Sequence, residues 1–396
     1  MTTAAASHEW DRIPVILSFA EPVKMVETYG FAGSQGTTNL EGQLLIPRGI
    51  RSDTLFVFMH PTSTLNLLPM PTAMASAGLH VLCAASRYMK NDSALIMEKV
   101  AVDLGAFIRH ARENLRYRKI ILVGWSGGGS LSLFYQAQAE NPTITHTPAG
   151  DSYDLTRANL LSADGVIFIA AHLSRAETLT EWIDPSIIDE LNPDKRNREF
   201  DIYAADCPNK PPFTHDFIVA FRAAQIARNR KITHWAEELL DRLKKRNDGE
   251  LERGFVVHRT MCDVRWIDSR IDPNGRAPNW CYLGDPRIVN CGPVGLARFS
   301  TLRSWLSQWS VERTNTRGVV NAAKVTKPPI LQIENGADDA VPATHNSLVR
   351  DALAAPDKEY VFIPGATHYY LRQPELLAAC INSAVEWARR KGLLSA

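Results

Sequence analysis

The stretch VGWSGGG, residues 123–129, places a single hydroxyl, that of Ser126, between an indole and three successive glycines. A strand that ends at Trp125 and a helix that begins at Gly127 must reverse within about two residues, which forces the apex into a strained backbone conformation. Gly124 and Gly128 complete G-x-S-x-G, where side chains at the outer positions would collide across the turn. Such a turn lifts the Ser126 hydroxyl above a sheet and aims the free N–H groups of the following helix at the same point. The competing reading is a glycine-rich turn kept for packing alone.

The surroundings decide between the two. Short runs rich in Val, Ile, Leu and Phe occur at TLFVFMHP (54–61), HVLCAAS (80–86) and KIILVGWS (119–126), the pattern of buried parallel strands. Between the last two, residues 94–115 repeat apolar side chains at helical spacing after the N-cap formers NDS at 91–93. That is a β-α-β crossover with the glycine turn at a strand-to-helix junction. GVIFIAAH (165–172), PPILQIENG (328–336) and KEYVFIPG (358–365) continue the strands, and residues 373–394 read as a closing helix. Upstream, VKMVETYGFA (23–32) and NLEGQLLIPRG (39–49) read as an antiparallel pair. The expected class is α/β, a mostly parallel central sheet flanked by helices.

Residues 172–327 interrupt this pattern, separating two strands by far more chain than a crossover needs. The segment has its own content: a long helical stretch at 213–247, a β-like run at 254–268 and a Pro/Gly/Asn-rich passage at 272–293. The expected division is therefore a core from 1–171 and 328–396 with an inserted cap at 172–327. Six of the nine tryptophans, 182, 235, 266, 280, 305 and 309, lie in that cap. They form either an aromatic wall over a pocket or the cap's own core, since bulky aromatics dominate both. Trp305 and Trp309, four apart, are the expected wall residues, with Trp125 beside the serine. Arg303, two residues before Trp305, meets a carboxylate or caps a helix.

Composition narrows the partners. The 396 residues carry 44 basic and 43 acidic side chains, a net charge of +1, which steers nothing toward nucleic acid or anionic lipid. The sequence shows no leader-like n- and h-regions and no apolar run long enough for a membrane span, so a cytoplasmic protein with a small-molecule partner is expected; self-association into a homo-oligomer is left open. Six dispersed cysteines lack metal-ligand spacing and read as free thiols. No cofactor and no metal are expected.

A serine hydroxyl needs a base and an orienting acid. Among eleven histidines, His368 follows the last strand in IPGATHYY, on the edge of the sheet where Ser126 lies. His172, just after FIAA, is the rival there; His110, His215 and His234 fall on helical faces, and His345 opens a helix as a surface residue. The turn after PPILQIENG holds two adjacent aspartates, Asp338 and Asp339, ahead of AVP. Here the chain resembles the α/β-hydrolase superfamily over about 60% of its length, excluding the insertion. The resemblance rests on the nucleophile elbow, on the order Ser, Asp, His, and on the superfamily's D-x-x-V-P pattern, which implies Asp338 as the acid and Asp339 as a solvated turn residue. It also implies an oxyanion hole, with one donor from the amide of Gly127. The family's His-Gly-x loop is here His60-Pro61-Thr62. Proline has no N–H, so Thr62 becomes the second donor, with Ser63 as the fallback.

The expected chemistry is a serine hydrolase cleaving a carboxylic ester or lactone of a small apolar or aromatic substrate through an acyl-enzyme. The alternatives are an acyltransferase or a carbon-carbon bond hydrolase on the same three residues, or a non-catalytic binding protein of the same fold.

Overall fold

The computed structural model describes residues 7–21, 25–28 and 36–394. One eight-stranded sheet organises the molecule, its strands beginning, in order across it, at residues 10, 37, 81, 54, 119, 165, 330 and 358. β1 (Trp10–Ala20) and β2 (Thr37–Pro47) form an antiparallel ribbon along their full length. The antiparallel partner of residues 37–47 is thus the N-terminal run 10–20 and not 23–32; most of 23–32 lies outside the described residues. The choice has a physical reason, since WDRIPVILSFA offers eleven continuous positions to pair with.

β3 (Thr54–His60), α1 (Pro69–Ser76), β4 (Val81–Ala85), α2 (Met97–Glu113), β5 (Lys119–Ser126), α3 (Gly127–Glu140) and β6 (Gly165–Ala171) follow in the crossover order expected. Every residue of β3 and β6 is buried, which is why these strands read as unbroken apolar runs. After the insertion, β9 (Ile330–Asn335) pairs parallel with β6, and β10 (Lys358–Ile363) with β9. One apolar cluster packs the sheet against α2 and α3, and a second packs the other face against α1 and the C-terminal helix. A mostly parallel sheet covered on both faces, entered through an antiparallel ribbon, is the α/β-hydrolase fold.

The insertion supplies α4 (Arg175–Trp182), the 32-residue α5 (His215–Arg246), β7 (Gly254–Val256), α6 (Val264–Ile267), α7 (Pro286–Cys291), β8 (Phe299–Thr301), α8 (Leu302–Ser304) and α9 (Gly318–Ala322). The β-like run at 254–268 is a strand only at its first three residues, where β7 pairs with β8. Beyond them buried ion pairs take over: Arg259 reaches Asp184 at 2.6 Å, and Arg265 reaches Asp263. Trp305–Trp309 forms a π-helical turn. The core then closes with α10 (Ala343–Ala352) and α11 (Pro374–Arg390).

The insertion is joined to the core by a helix cap. Residues 91–93 do not cap α2; Asn91 bonds Ser93, and Asp92 pairs with Arg175. The orphan N–H of Met97 instead donates to Ser307 Oγ at 2.8 Å, and the Ser307 hydroxyl donates to the buried carboxylate of Glu98 at 2.9 Å. A core helix thus takes its N-terminal partner from a residue 210 positions away.

Candidate functional site

The C-terminal ends of β5, β9 and β10 face one edge, and the expected residues meet there. Ser126 adopts φ 53° and ψ −127°, the strained apex expected of the turn. Two glycines are dictated by close approach. A Cβ at Gly124 would lie 2.7 Å from the Cα of Gly129, and one at Gly127 would lie 2.6 Å from Nε2 of His60. The first contact closes the elbow; the second shows that an imidazole sits directly over it. β6 accommodates the turn with a register shift opposite Trp125 and Ser126, where Ala170 takes φ 46°.

His368, buried in the loop after β10, places Nε2 3.1 Å from Ser126 Oγ and Nδ1 3.1 and 3.2 Å from the two carboxylate oxygens of Asp338. Asp338 Oδ1 also accepts the backbone N–H groups of Ala340 and Val341 at 2.8 and 2.7 Å, which lock its orientation. A carboxylate acceptor at Nδ1 puts the proton there and leaves the Nε2 lone pair facing the serine hydroxyl. Trp125 packs its ring 4.8 Å from that of His368 and donates to the His368 carbonyl oxygen at 3.3 Å.

Asp339 is not a solvated turn residue. Its Oδ1 is buried with no partner among the described residues, and burial, reinforced by the neighbouring Asp338 charge, raises its pKa. Its carbonyl oxygen accepts from Trp266 Nε1. His345 is not at the surface either: it is buried, with Nε2 3.1 Å from Glu181 in the insertion. The rival His172 lies 6.1 Å from His368, ring to ring, but its Nδ1 is bonded to Thr178.

Of the two expected oxyanion donors, Gly127 opens α3, where amides have no intrahelical partner. Thr62 is a correction. Its N–H, like that of Ser63, donates to Nδ1 of His60, at 3.2 and 3.0 Å, so the loop amides are turned onto the imidazole. An Nδ1 accepting two N–H groups must carry a lone pair, so a neutral His60 bears its proton on Nε2. Burial, with Arg175 and His368 close by, holds the His60 pKa well below the usual histidine range. The sequence signal for this was present in His60 itself, but the family pattern directs attention to the residues after it.

A cavity of about 420 Å³ lies over Ser126 and Gly127. The insertion contributes Trp182, Tyr282, Leu296 and Trp309 to its wall, and the core contributes Trp125 and Tyr369. Trp305 is not a wall residue. It is fully buried among residues of α4, α5 and α8, with Nε1 donating to Thr233 at 3.0 Å. Trp235 and Trp280 are exposed, and Arg303 pairs with Asp151 at 2.7 Å. Arg175 and Tyr282 line the cavity without having been singled out by any sequence pattern. Among the described residues, no group of three or more His, Cys, Asp or Glu could hold a metal ion, and no helix is long and apolar enough to cross a membrane.

Solved structures share this architecture. DcsB, in a complex with its substrate analogue, aligns over 97% of this chain and 99% of its own with a TM-score of 0.51 at 12% identity. The alpha/beta hydrolase GrgF from Penicillium sp. sh18 aligns over 96% and 99% with a TM-score of 0.49 at 11% identity. The siderophore hydrolase EstB from Aspergillus fumigatus aligns over 94% and 98% with a TM-score of 0.47 at 14% identity. No protein-family model and no curated protein matches the sequence. At such identities the likeness concerns the fold.

Proposed function

We propose that the protein is a serine hydrolase that cleaves a carboxylic ester or lactone of a small apolar or aromatic substrate through an acyl-enzyme. The observation that carries this reading is the continuous hydrogen-bonded chain from Asp338 through His368 to Ser126, at the floor of a cavity walled by aromatic side chains. Ser126 Oγ attacks the ester carbonyl while His368 Nε2 takes its proton, and Asp338 steadies the imidazolium that forms. The tetrahedral oxyanion is received by the Gly127 N–H and, in place of a loop amide, by Nε2–H of His60, whose contact with the Gly127 position puts it at the elbow. Collapse expels the alcohol with the proton from His368. Water, deprotonated by the same nitrogen, then releases the acid and restores the serine. Residues 172–327 act as the cap that selects the substrate.

A fluorophosphonate probe tests the reading directly. The expected result is one covalent adduct per chain, on the peptide carrying Ser126, with turnover of aryl esters lost in parallel. A native protein that neither labels nor turns over esters and lactones of any acyl length would overturn it.

A further inference from the structure

Building on the serine-hydrolase reading, we infer that the substrate carries a carboxylate or equivalent monoanionic group that is seated on Arg175. Arg175 lines the cavity together with Ser126, although its side chain is only 6% exposed. Its guanidinium is held rigidly from three sides. Nε donates to Gln308 Oε1 at 2.9 Å, Nη2 pairs with Asp92 at 2.5 Å, and the Trp309 ring stacks 4.3 Å away. Nη1 has no acceptor among the described residues, so both of its N–H groups are left for a ligand.

Asp92 and Gln308 anchor this cation, but its place in the helix does not favour it. Arg175 is the first residue of α4, after the N-cap Ser174, where the helix dipole disfavours positive charge. Burying an arginine at that end costs stability unless its charge is used, because desolvation of an ion is poorly repaid by one partner. That one partner, Asp92, remains a third exposed to solvent. The charges lining the cavity are Arg175 and Lys90 against Asp92 alone, leaving one positive charge unmatched. The two histidines that complete the lining, His60 and His172, are held neutral by burial. A lining with one net positive charge, in which Nη1 of Arg175 stands open beside Trp125, Trp182, Tyr282 and Trp309, fits a single carboxylate at the end of an apolar arm.

Aryl hemiesters of dicarboxylic acids from succinate to adipate, each compared with the neutral acyl ester of equal length, give the measurement. The native enzyme is expected to favour the anionic member at one or more lengths by ~10- to 100-fold in kcat/KM, mainly through KM, the scale of a charge-assisted pair. Arg175→Gln is expected to lower this ratio to near one, and Asp92→Asn, which removes the competing carboxylate, to raise it. Titration of tryptophan fluorescence with 4-phenylbutyrate, to which Trp125, Trp182 and Trp309 of the cavity wall respond, checks the seat without turnover. Binding should weaken at least about tenfold in Arg175→Gln, and 4-phenylbutyramide should bind weakly to both. Equal use of anionic and neutral esters at every length, or unchanged carboxylate binding in Arg175→Gln, overturns the inference while leaving the hydrolase reading intact. Loss of the hydrolase reading shows instead as absence of labelling at Ser126, and the fluorescence titration still decides the anion seat.

Discussion

In the sheet, β3 and β6 are buried at every position and feed two large apolar clusters, one on each face. The insertion divides its apolar side chains among three smaller clusters and joins its irregular segments with buried ion pairs, Arg259 to Asp184 and Asp201, Arg265 to Asp263 and Glu181, Arg228 to Glu190. Apolar packing imposes a period on the chain, whereas an ion pair imposes only a meeting of two distant residues. The sheet therefore fixes where Ser126, Asp338 and His368 stand, and the insertion supplies part of the wall that faces them.

The largest expected effects lie in the sheet and leave stability untouched. Ser126→Ala should lower kcat by about 10⁶ if the three residues act as a unit, with an unchanged melting temperature; appreciable turnover in that variant would remove the serine from the mechanism. Asp338→Asn should cost roughly 10⁴ in rate, because His368 loses the acceptor that sets its tautomer. Asp339→Asn, beside it but hydrogen-bonded to neither the Ser126 hydroxyl nor the His368 ring, should cost little. Steady-state kinetics on one aryl ester separate the two, and the reverse pattern would move the acid by one position.

Much of the sheet was legible because burial on both faces writes itself as runs such as TLFVFMH and GVIFIAA, and Ser126, Asp338 and His368 each follow such a run. The insertion was legible as an interruption and through α5, whose 32 residues keep a helical period. Arg175, Trp182 and Tyr282 reach the cavity through a route set by long-range pairs, and no local pattern records that. His345 was misplaced for the same reason: its burial depends on Glu181, 164 residues away. Thr62 failed because the neighbouring imidazole, which the sequence places but does not orient, takes its amide.

Two tryptophans of the insertion sharpen the contrast at the next scale. Trp305→Ala opens a cavity in the insertion's own apolar cluster and should lower stability by about 3 to 5 kcal/mol, with losses shared by all substrates. Trp309→Ala removes cavity wall and the ring stacked on Arg175, so bulky aromatic esters should lose more kcat/KM than an acetate ester. Melting curves alongside kinetics on both esters decide it; identical behaviour of the two variants would mean that the cap has one role only.

His60 ends β3 yet lines the cavity together with Arg175 and Trp182 of the insertion, and two replacements divide the functions proposed for it. Asparagine can keep an acceptor near Nδ1 for the Thr62 and Ser63 amides, while glutamine can place an N–H near Nε2. If Nε2–H receives the oxyanion, His60→Asn should lose on the order of 10² to 10³ in kcat, the cost of one such donor, and His60→Gln should recover part of it. Recovery by asparagine and none by glutamine would reduce His60 to a loop anchor.

The smallest effect separates the regions by pH. His60 and His172 have folded pKa values well below 6.5, chiefly from burial. Below pH 6.5 the unfolded chain therefore binds more protons than the folded one, and stability is lost as pH falls from 6.5 toward the depressed values, by roughly 1.4 kcal/mol per pH unit for each histidine. In the insertion the sign leads to a later window. Glu181 is partly exposed; desolvation raises its carboxyl, but Arg265 and His345 beside it outweigh that and hold it well below 4.5, so its contribution is present above 4.5 and lost only as pH falls through that lower value. Urea unfolding between pH 8 and 5 should accordingly show a slope to which His60, His172 and the likewise lowered His80 contribute, with Glu181 still silent. His172→Gln, which keeps a polar side chain beside Thr178, should remove about one proton's worth of that slope, some 1.4 kcal/mol per pH unit. Parallel profiles for the variant and the native chain would show that His172 titrates as it does in the unfolded state, and would return it from the neutral lining of the cavity to its charge count.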